Sequence, residues 1–68
     1  MNLIPVSSSN IASIGYENRV LFVAFHNGSL YSYSGVPETE YYNLMAASSH
    51  GSYLASHIKG VYPYRRLG

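Results

Sequence analysis

The dipeptide Asn27-Gly28 constrains the fold of this chain more than any other feature. It follows an unbroken apolar run, VLFVAFH at residues 20 to 26, and precedes the alternating stretch SLYSYS at residues 29 to 34. Runs of β-branched and aromatic residues are typical of strands, and Asn and Gly both accept the positive φ angles of a tight turn. The sequence therefore predicts a β-hairpin.

The length of the hairpin loop decides which way Tyr31 and Tyr33 point, because a slip of one residue moves every side chain to the other face. A two-residue loop would put both tyrosines on the face of Phe22. A three-residue loop, with Gly28 as the bulge residue, would put them on the face of Leu21. We prefer the three-residue loop because it gathers the larger apolar set on one side: Leu21, Val23, Phe25, Tyr31 and Tyr33.

The other segments predict one more strand and two helices. NIASIGYE, residues 10 to 17, reads as the first strand, and Pro37 opens a helix, since its φ is preset for the first helical position. Ser49 can cap a second helix over residues 50 to 59, and residues 1 to 9 and 61 to 68 should be extended. We expect one α+β domain over residues 1–68, a three-stranded antiparallel β-meander followed by two short helices packed on one face.

The second face of this sheet would carry Val20, Phe22, Ala24 and Leu30. The predicted elements include nothing that covers these side chains, and exposed apolar patches of this kind usually mark an interface. We therefore expect a homo-oligomer through this face. The alternative is that the two extended ends of the chain fold across it.

Composition argues against several classes of protein. The 68 residues include no cysteine and no aspartate, and their formal charge is only +1. The histidines lack the spacing of a metal site, so no metal or cofactor is expected, and the scarcity of acids argues against an enzyme. No apolar run is long enough to span a membrane, and the N-terminus does not look like a signal peptide, so a cytoplasmic location is the expectation.

The ordered set of short motifs resembles the KTSC domain, named from its place at the C-terminus of some lysyl-tRNA synthetases and also found as a stand-alone bacterial or phage protein. The motifs are PVSSSNIASIGY at 5 to 16, L-x-V-x-F-x-x-G-x-x-Y-x-Y from Leu21 to Tyr33, VP at 36 to 37, S-x-x-G-x-Y from Ser48 to Tyr53, and Tyr41, Leu44, Ile58, Tyr62, Arg66 and Leu67. The resemblance implies the fold and, through the synthetase context, RNA binding. Phe22 and Ala24 stand where relatives often carry polar or charged residues, which favours an interface specific to this chain.

Function is predicted from the tyrosines and the basic C-terminal segment. Eight tyrosines offer faces on which bases can stack, and the low charge favours a ligand with few phosphates. We expect a non-catalytic binding module for a small nucleotide or a short single-stranded RNA, which could sense or sequester a nucleotide signal; a pure protein-interaction module is the alternative. The candidate ligand-binding residues are Ser8, Ser9, Asn10, Lys59, Tyr62, Arg65 and Arg66. For the Ser-Asn stretch we favour the structural alternative, in which these short polar side chains hydrogen-bond their own backbone in a turn.

Overall fold

In the computed structural model, which describes residues 2–68, an antiparallel sheet of five strands carries the helices on one face. The strands follow one another in chain order: β1 (Ile4–Pro5), β2 (Ile11–Glu17), β3 (Val20–Phe25), β4 (Leu30–Ser34) and β5 (Tyr64–Arg66). The α+β class and the meander of β2, β3 and β4 are confirmed. The predicted strand count of three was too low.

The two additional strands are the extended ends of the chain. β1 pairs with β2, and β5 pairs with β4, so each adds to an edge of the sheet and neither crosses the open face. An edge strand presents N–H and C=O groups that an extended neighbour can satisfy. These strands have two and three residues, which is too short for an alternating pattern of side chains to be recognised in the sequence. Of the predicted lead-in, Met1 lies outside the described residues.

The central hairpin has the three-residue loop. The Phe25 N–H donates to the Ser29 carbonyl oxygen at 2.9 Å, and Gly28 adopts a φ of +94° between them. Leu21 then pairs with Tyr33, and Val23 pairs with Tyr31. The predicted register is confirmed, and both tyrosines lie on the helix side of the sheet.

The helices begin and end close to their predicted limits. Helix α1 spans Glu38–Ala46 and starts directly after Pro37, and helix α2 spans His50–Tyr53 and is capped by the Ser49 side chain, which accepts from the Ser52 N–H at 3.3 Å. The chain continues as a π-helical turn, Leu54–Ile58. Across the described part of the chain, residues 2 to 68, the helices are too short and too polar to span a bilayer.

The core lies between the sheet and the helices. Leu44 from α1 and Leu54 and Ile58 from the π-helical turn are buried against strand residues such as Ile14 and Leu21. On the opposite side, Val20, Phe22, Ala24 and Leu30 are half-buried. We call these four residues the open face. Because both helices pack on the other side, no helix among the described residues covers the open face.

Candidate ligand-binding cleft

Part of the helix side of the sheet lies beside the helices and forms a cleft. Its volume is about 430 Å³, which is within the range of about 300–1,000 Å³ typical of small-molecule sites. It lies between the end of the central hairpin and the chain reversal after the π-helical turn. The residues that line this cleft are Phe25, Asn27, Ser29, Tyr31, Tyr33, Lys59, Gly60 and Tyr64.

Four aromatic rings form a continuous wall of the cleft. Phe25 meets Tyr31 edge to face with 5.7 Å between ring centroids. Tyr64 lies 5.9 Å from Tyr31 and 6.3 Å from Tyr33, tilted against both. The register explains this grouping, because Tyr33 and Tyr64 are direct partners across β4 and β5. The wall offers an aromatic surface on which a flat ring can stack.

The wall runs from buried to exposed. Tyr33 is only 3% exposed, whereas Tyr64 is 68% exposed on the edge strand. Burial, with smaller contributions from Tyr31 and Tyr64, raises the pKa of Tyr33. Its hydroxyl therefore stays protonated and uncharged at neutral pH.

Lys59 brings the one cationic side chain among the described residues that line the cleft. Its backbone N–H donates to the Leu54 carbonyl oxygen at 2.9 Å, which closes the wide π-helical turn. Gly60 follows with a φ of +79°, a left-handed conformation that glycine adopts freely. The turn and the glycine together direct the chain over the aromatic wall and bring Lys59 to its rim.

The two neighbouring arginines of β5 lie on opposite faces of the sheet. Arg66 pairs with Tyr31 and is therefore on the cleft side, where its Nε donates to the Gly68 carbonyl oxygen at 3.1 Å. Arg65 pairs with Ser32 and lies on the side of the open face. Of the predicted cationic ligand residues, the structure brings Lys59 and Arg66 to the cleft side and separates Arg65 from them.

The predicted Ser-Asn stretch forms the turn between β1 and β2, away from the lining of the cleft. Ser8 Oγ accepts from the N–H groups of Asn10 and Ile11 at 3.4 and 3.3 Å, and it donates to Asn10 Oδ1 at 3.1 Å. Ser9 is exposed in the same turn. These contacts match the structural reading of the stretch, in which short polar side chains satisfy their own backbone.

Tyr62 belongs to a different cluster, centred on the Glu40 carboxylate. Its hydroxyl donates to Glu40 Oε2 at 3.2 Å, and the Tyr53 hydroxyl donates to Glu40 Oε1. The hydrogen bond to Glu40, helped by burial, raises the pKa of Tyr53. Burial, followed by the Glu40 hydrogen bond, raises the pKa of Tyr62. Glu40 thus ties the segment before β5 to helix α1.

Sequence reasoning missed most of the cleft. It assigned Tyr31 and Tyr33 to the helix side correctly but treated that side as fully covered. Phe25, Asn27 and Ser29 lie around the hairpin loop, and the only sequence signal for a shared site is their closeness to Tyr31 and Tyr33 along FHNGSLYSY, residues 25 to 33. Tyr64 joins them through the pairing of β5, which the sequence pattern did not reveal.

The fold and cleft define a class, a small α+β domain in which a meander sheet, helix-covered on one side, keeps an aromatic cleft beside its last strand. The KTSC domain model matches residues 7–62, and the chain belongs to the KTSC domain family. The chain is also similar to the crystal structure of a KTSC domain protein from Yersinia pestis, with a TM-score of 0.92 and 44% sequence identity over 98% of this chain and 97% of that one. No match was found among curated proteins.

Proposed function

We propose that this protein is a non-catalytic binding module whose aromatic cleft holds a small nucleotide. The observation that carries the proposal is the conjunction of a four-ring wall with Lys59 at its rim. Aromatic side chains stack on any base and contribute about 1–3 kcal/mol per base. An ammonium at the rim supplies the charge that a phosphate needs.

The charge of the ligand follows from the charges around the cleft. Aromatic cages also bind quaternary ammonium groups, but Lys59 would repel such a cation. Lys59 and Arg66 can neutralise one or two phosphates, which favours a mononucleotide or dinucleotide over a long strand. A short single-stranded RNA could use the same contacts. One of its bases would stack on the aromatic wall, and its backbone would continue past the edge strand.

Binding without catalysis is supported by the lining itself. Among the described residues that line the cleft, none is a histidine, cysteine, aspartate or glutamate. The Ser29 hydroxyl donates to the Asn27 amide oxygen, which cannot act as the base that activates a nucleophile. Sequestration or sensing of a nucleotide in the cytoplasm would use this cleft unchanged, since neither needs the ligand to react.

Calorimetric titration with ribonucleoside 5′-monophosphates and with a six-nucleotide RNA at several salt concentrations tests the proposal. Each neutralised phosphate of a single strand contributes roughly 0.7 to the slope of log affinity against log salt. We expect mononucleotides to bind with a slope below about 1.5. A slope steeper than about three with the RNA would identify a strand as the ligand, and no binding of either would contradict the proposal.

Lys59→Met is the sharpest variant for the phosphate contact, because it keeps most of the length of the unbranched side chain and removes the charge. We expect about tenfold weaker binding of a mononucleotide and a slope lower by roughly 0.7. Arg65→Met removes a cation from the opposite face and should leave both quantities unchanged. Equal effects of the two changes would mean that only net charge matters.

A second proposal concerns the open face, whose four apolar side chains are only half-buried and face away from both helices. We propose that it joins copies of this chain into a homo-oligomer. Phe22→Glu places a charge at the centre of the face and should yield monomers in light scattering. Val61→Glu changes a residue that is 62% exposed elsewhere and is the control. An unchanged mass for Phe22→Glu, with the fold intact by circular dichroism, would contradict the interface.

A further inference from the structure

The hairpin end of the cleft carries two polar side chains that are held in a defined hydrogen-bond pattern. Asn27 Oδ1 accepts from the Ser29 backbone N–H at 3.0 Å and from the Ser29 hydroxyl at 2.7 Å. Both residues line the cleft, and Ser29 is only 8% exposed. The pair is therefore part of the wall of the cleft.

The pattern determines where the hydrogens lie. A backbone N–H can only donate, so the Asn27 atom that it meets must be the carbonyl oxygen of the amide. That oxygen can only accept, so the Ser29 hydroxyl must give it its hydrogen. Ser29 Oγ is left with acceptor lone pairs, and Asn27 Nδ2 keeps two donor hydrogens that the turn does not use. The hairpin end thus offers a donor and an acceptor on two hydrogen-bonded residues.

We propose that Asn27 and Ser29 bind the polar edge of a nucleobase stacked on the aromatic wall. This proposal rests on the proposed function and names the ligand class more narrowly. The ring must carry an acceptor and a donor on neighbouring positions, as the Watson–Crick edges of the natural bases do. Asn27 Nδ2 donates to the acceptor, and Ser29 Oγ accepts from the donor.

Such a pair selects against rings of the same size that lack polar groups. A flat apolar ring would stack equally well but would leave Ser29 Oγ and Asn27 Nδ2 without partners in a partly desolvated wall, which is costly. Sites that are built to hydrogen-bond a substrate reject analogues without the matching group more strongly than apolar pockets reject a change of size.

Titration with adenosine 5′-monophosphate, cytidine 5′-monophosphate and the 5′-monophosphate of benzimidazole riboside tests the proposal. The benzimidazole stacks like a purine but has no polar group on its six-membered ring. We expect at least one natural nucleotide to bind about tenfold more tightly than the benzimidazole compound. Equal affinities for all three would overturn the proposal for the base edge while leaving the stacking cleft intact.

Ser29→Ala removes the acceptor and keeps the backbone hydrogen bond of the turn, so the preference for the natural nucleotide should fall to twofold or less. Ser32→Ala is the matched control, because Ser32 is also 8% exposed but lies on the opposite face of the sheet. It should keep the full preference. A preference unchanged by Ser29→Ala would overturn the role of the pair, whereas a wild-type protein that binds none of the three compounds would overturn the proposed function itself.

Asn27→Asp gives an independent check, since a carboxylate maintains the turn but replaces the amide donor with an acceptor. Uncharged adenosine and cytidine, followed by NMR titration, avoid repulsion between the carboxylate and a phosphate. We expect at least fivefold weaker binding of the preferred nucleoside. Unchanged binding with the hairpin signals in place would exclude Asn27 as the donor.

Discussion

Two groups of tyrosines in this small domain are held in contrasting ways. Tyr53 and Tyr62 both donate to the Glu40 carboxylate, so their hydroxyls are engaged within the protein. Tyr31 and Tyr64 are held by ring contacts with each other and with their neighbours along the cleft. We call the first group the anchored tyrosines and the second the cleft tyrosines.

The two groups differ in the residues that surround them in the fold. Glu40 is on helix α1, Tyr53 is the last residue of helix α2, and Tyr62 belongs to the segment before β5. Because both tyrosines donate to the Glu40 carboxylate, it links these three parts of the chain. The cleft tyrosines lie on strands whose helix side is left partly uncovered. Residues of one type therefore tie parts of the chain together in one region and form the wall of an open cleft in the other.

The largest expected effect is on stability and comes from Glu40→Ala, which leaves both anchored hydroxyls without their charged acceptor. Hydrogen bonds to charged groups contribute about 1.5–3 kcal/mol each when well formed. Since both hydroxyls lie at partly exposed positions, we expect a moderate loss of stability, seen as a melting temperature lower by roughly 5 °C and a lower midpoint of urea denaturation. Nucleotide affinity should not change.

Glu38→Ala is the control for this prediction. Glu38 is exposed in the same helical turn, and its carboxylate accepts from the exposed Tyr42 hydroxyl at 3.3 Å. Its loss should cost less than about 0.5 kcal/mol, as is usual for exposed surface positions. Equal losses for the two variants would mean that the anchored tyrosines do not depend on Glu40.

The next effect is on binding and comes from Tyr64→Ala. Tyr64 is 68% exposed, so its removal should shift the melting temperature by no more than about 2 °C, as expected for a surface side chain. Mononucleotide affinity should fall roughly tenfold, because base stacking contributes about 1–3 kcal/mol. Tyr42→Ala, at a 59% exposed position on α1, is the matched control and should retain wild-type affinity.

A Tyr64→Ala protein that loses stability as Glu40→Ala does, but binds normally, would remove the distinction between the two groups. Tyr64 would then be a structural residue of the sheet edge.

The smallest effect is a pH dependence. Hydrogen bonding to Glu40 and burial raise the pKa values of Tyr53 and Tyr62 above their ordinary value. Between the ordinary tyrosine pKa of about 10 and the raised values, the folded protein binds more protons than the unfolded chain. The contribution of these tyrosines to stability is therefore complete below about pH 10 and is lost as the pH rises through the raised pKa values. Melting temperatures recorded between pH 8 and 11 should show this decline.

Glu40→Gln should weaken the alkaline decline, because the neutral amide no longer raises the cost of the phenolate charge. Part of the alkaline decline should remain in this variant, because burial raises the pKa of Tyr33 independently of Glu40. An identical pH profile for Glu40→Gln and the wild type would assign the whole decline to Tyr33 and other groups.

Local signals predicted the middle of this protein well. Asn27-Gly28 and the apolar set around it sufficed for the three-residue loop and the register of β3 and β4, because a hairpin turn and the burial of one face act over few residues. Ser49 was likewise predicted as a helix cap from its position alone, since capping involves only the next three residues.

The sequence by itself thus determined which face of the central hairpin is buried, where the helices start and which family the chain resembles. Only the tertiary structure decided that the two ends become edge strands, that Arg65 and Arg66 separate to opposite faces, and that the rings of β3, β4 and β5 line one cleft with Lys59. The physical reason is range. Periodicity and turn chemistry act between near neighbours, whereas the cleft exists because a short π-helical turn, a reversal at Gly60 and the docking of β5 leave part of the sheet uncovered.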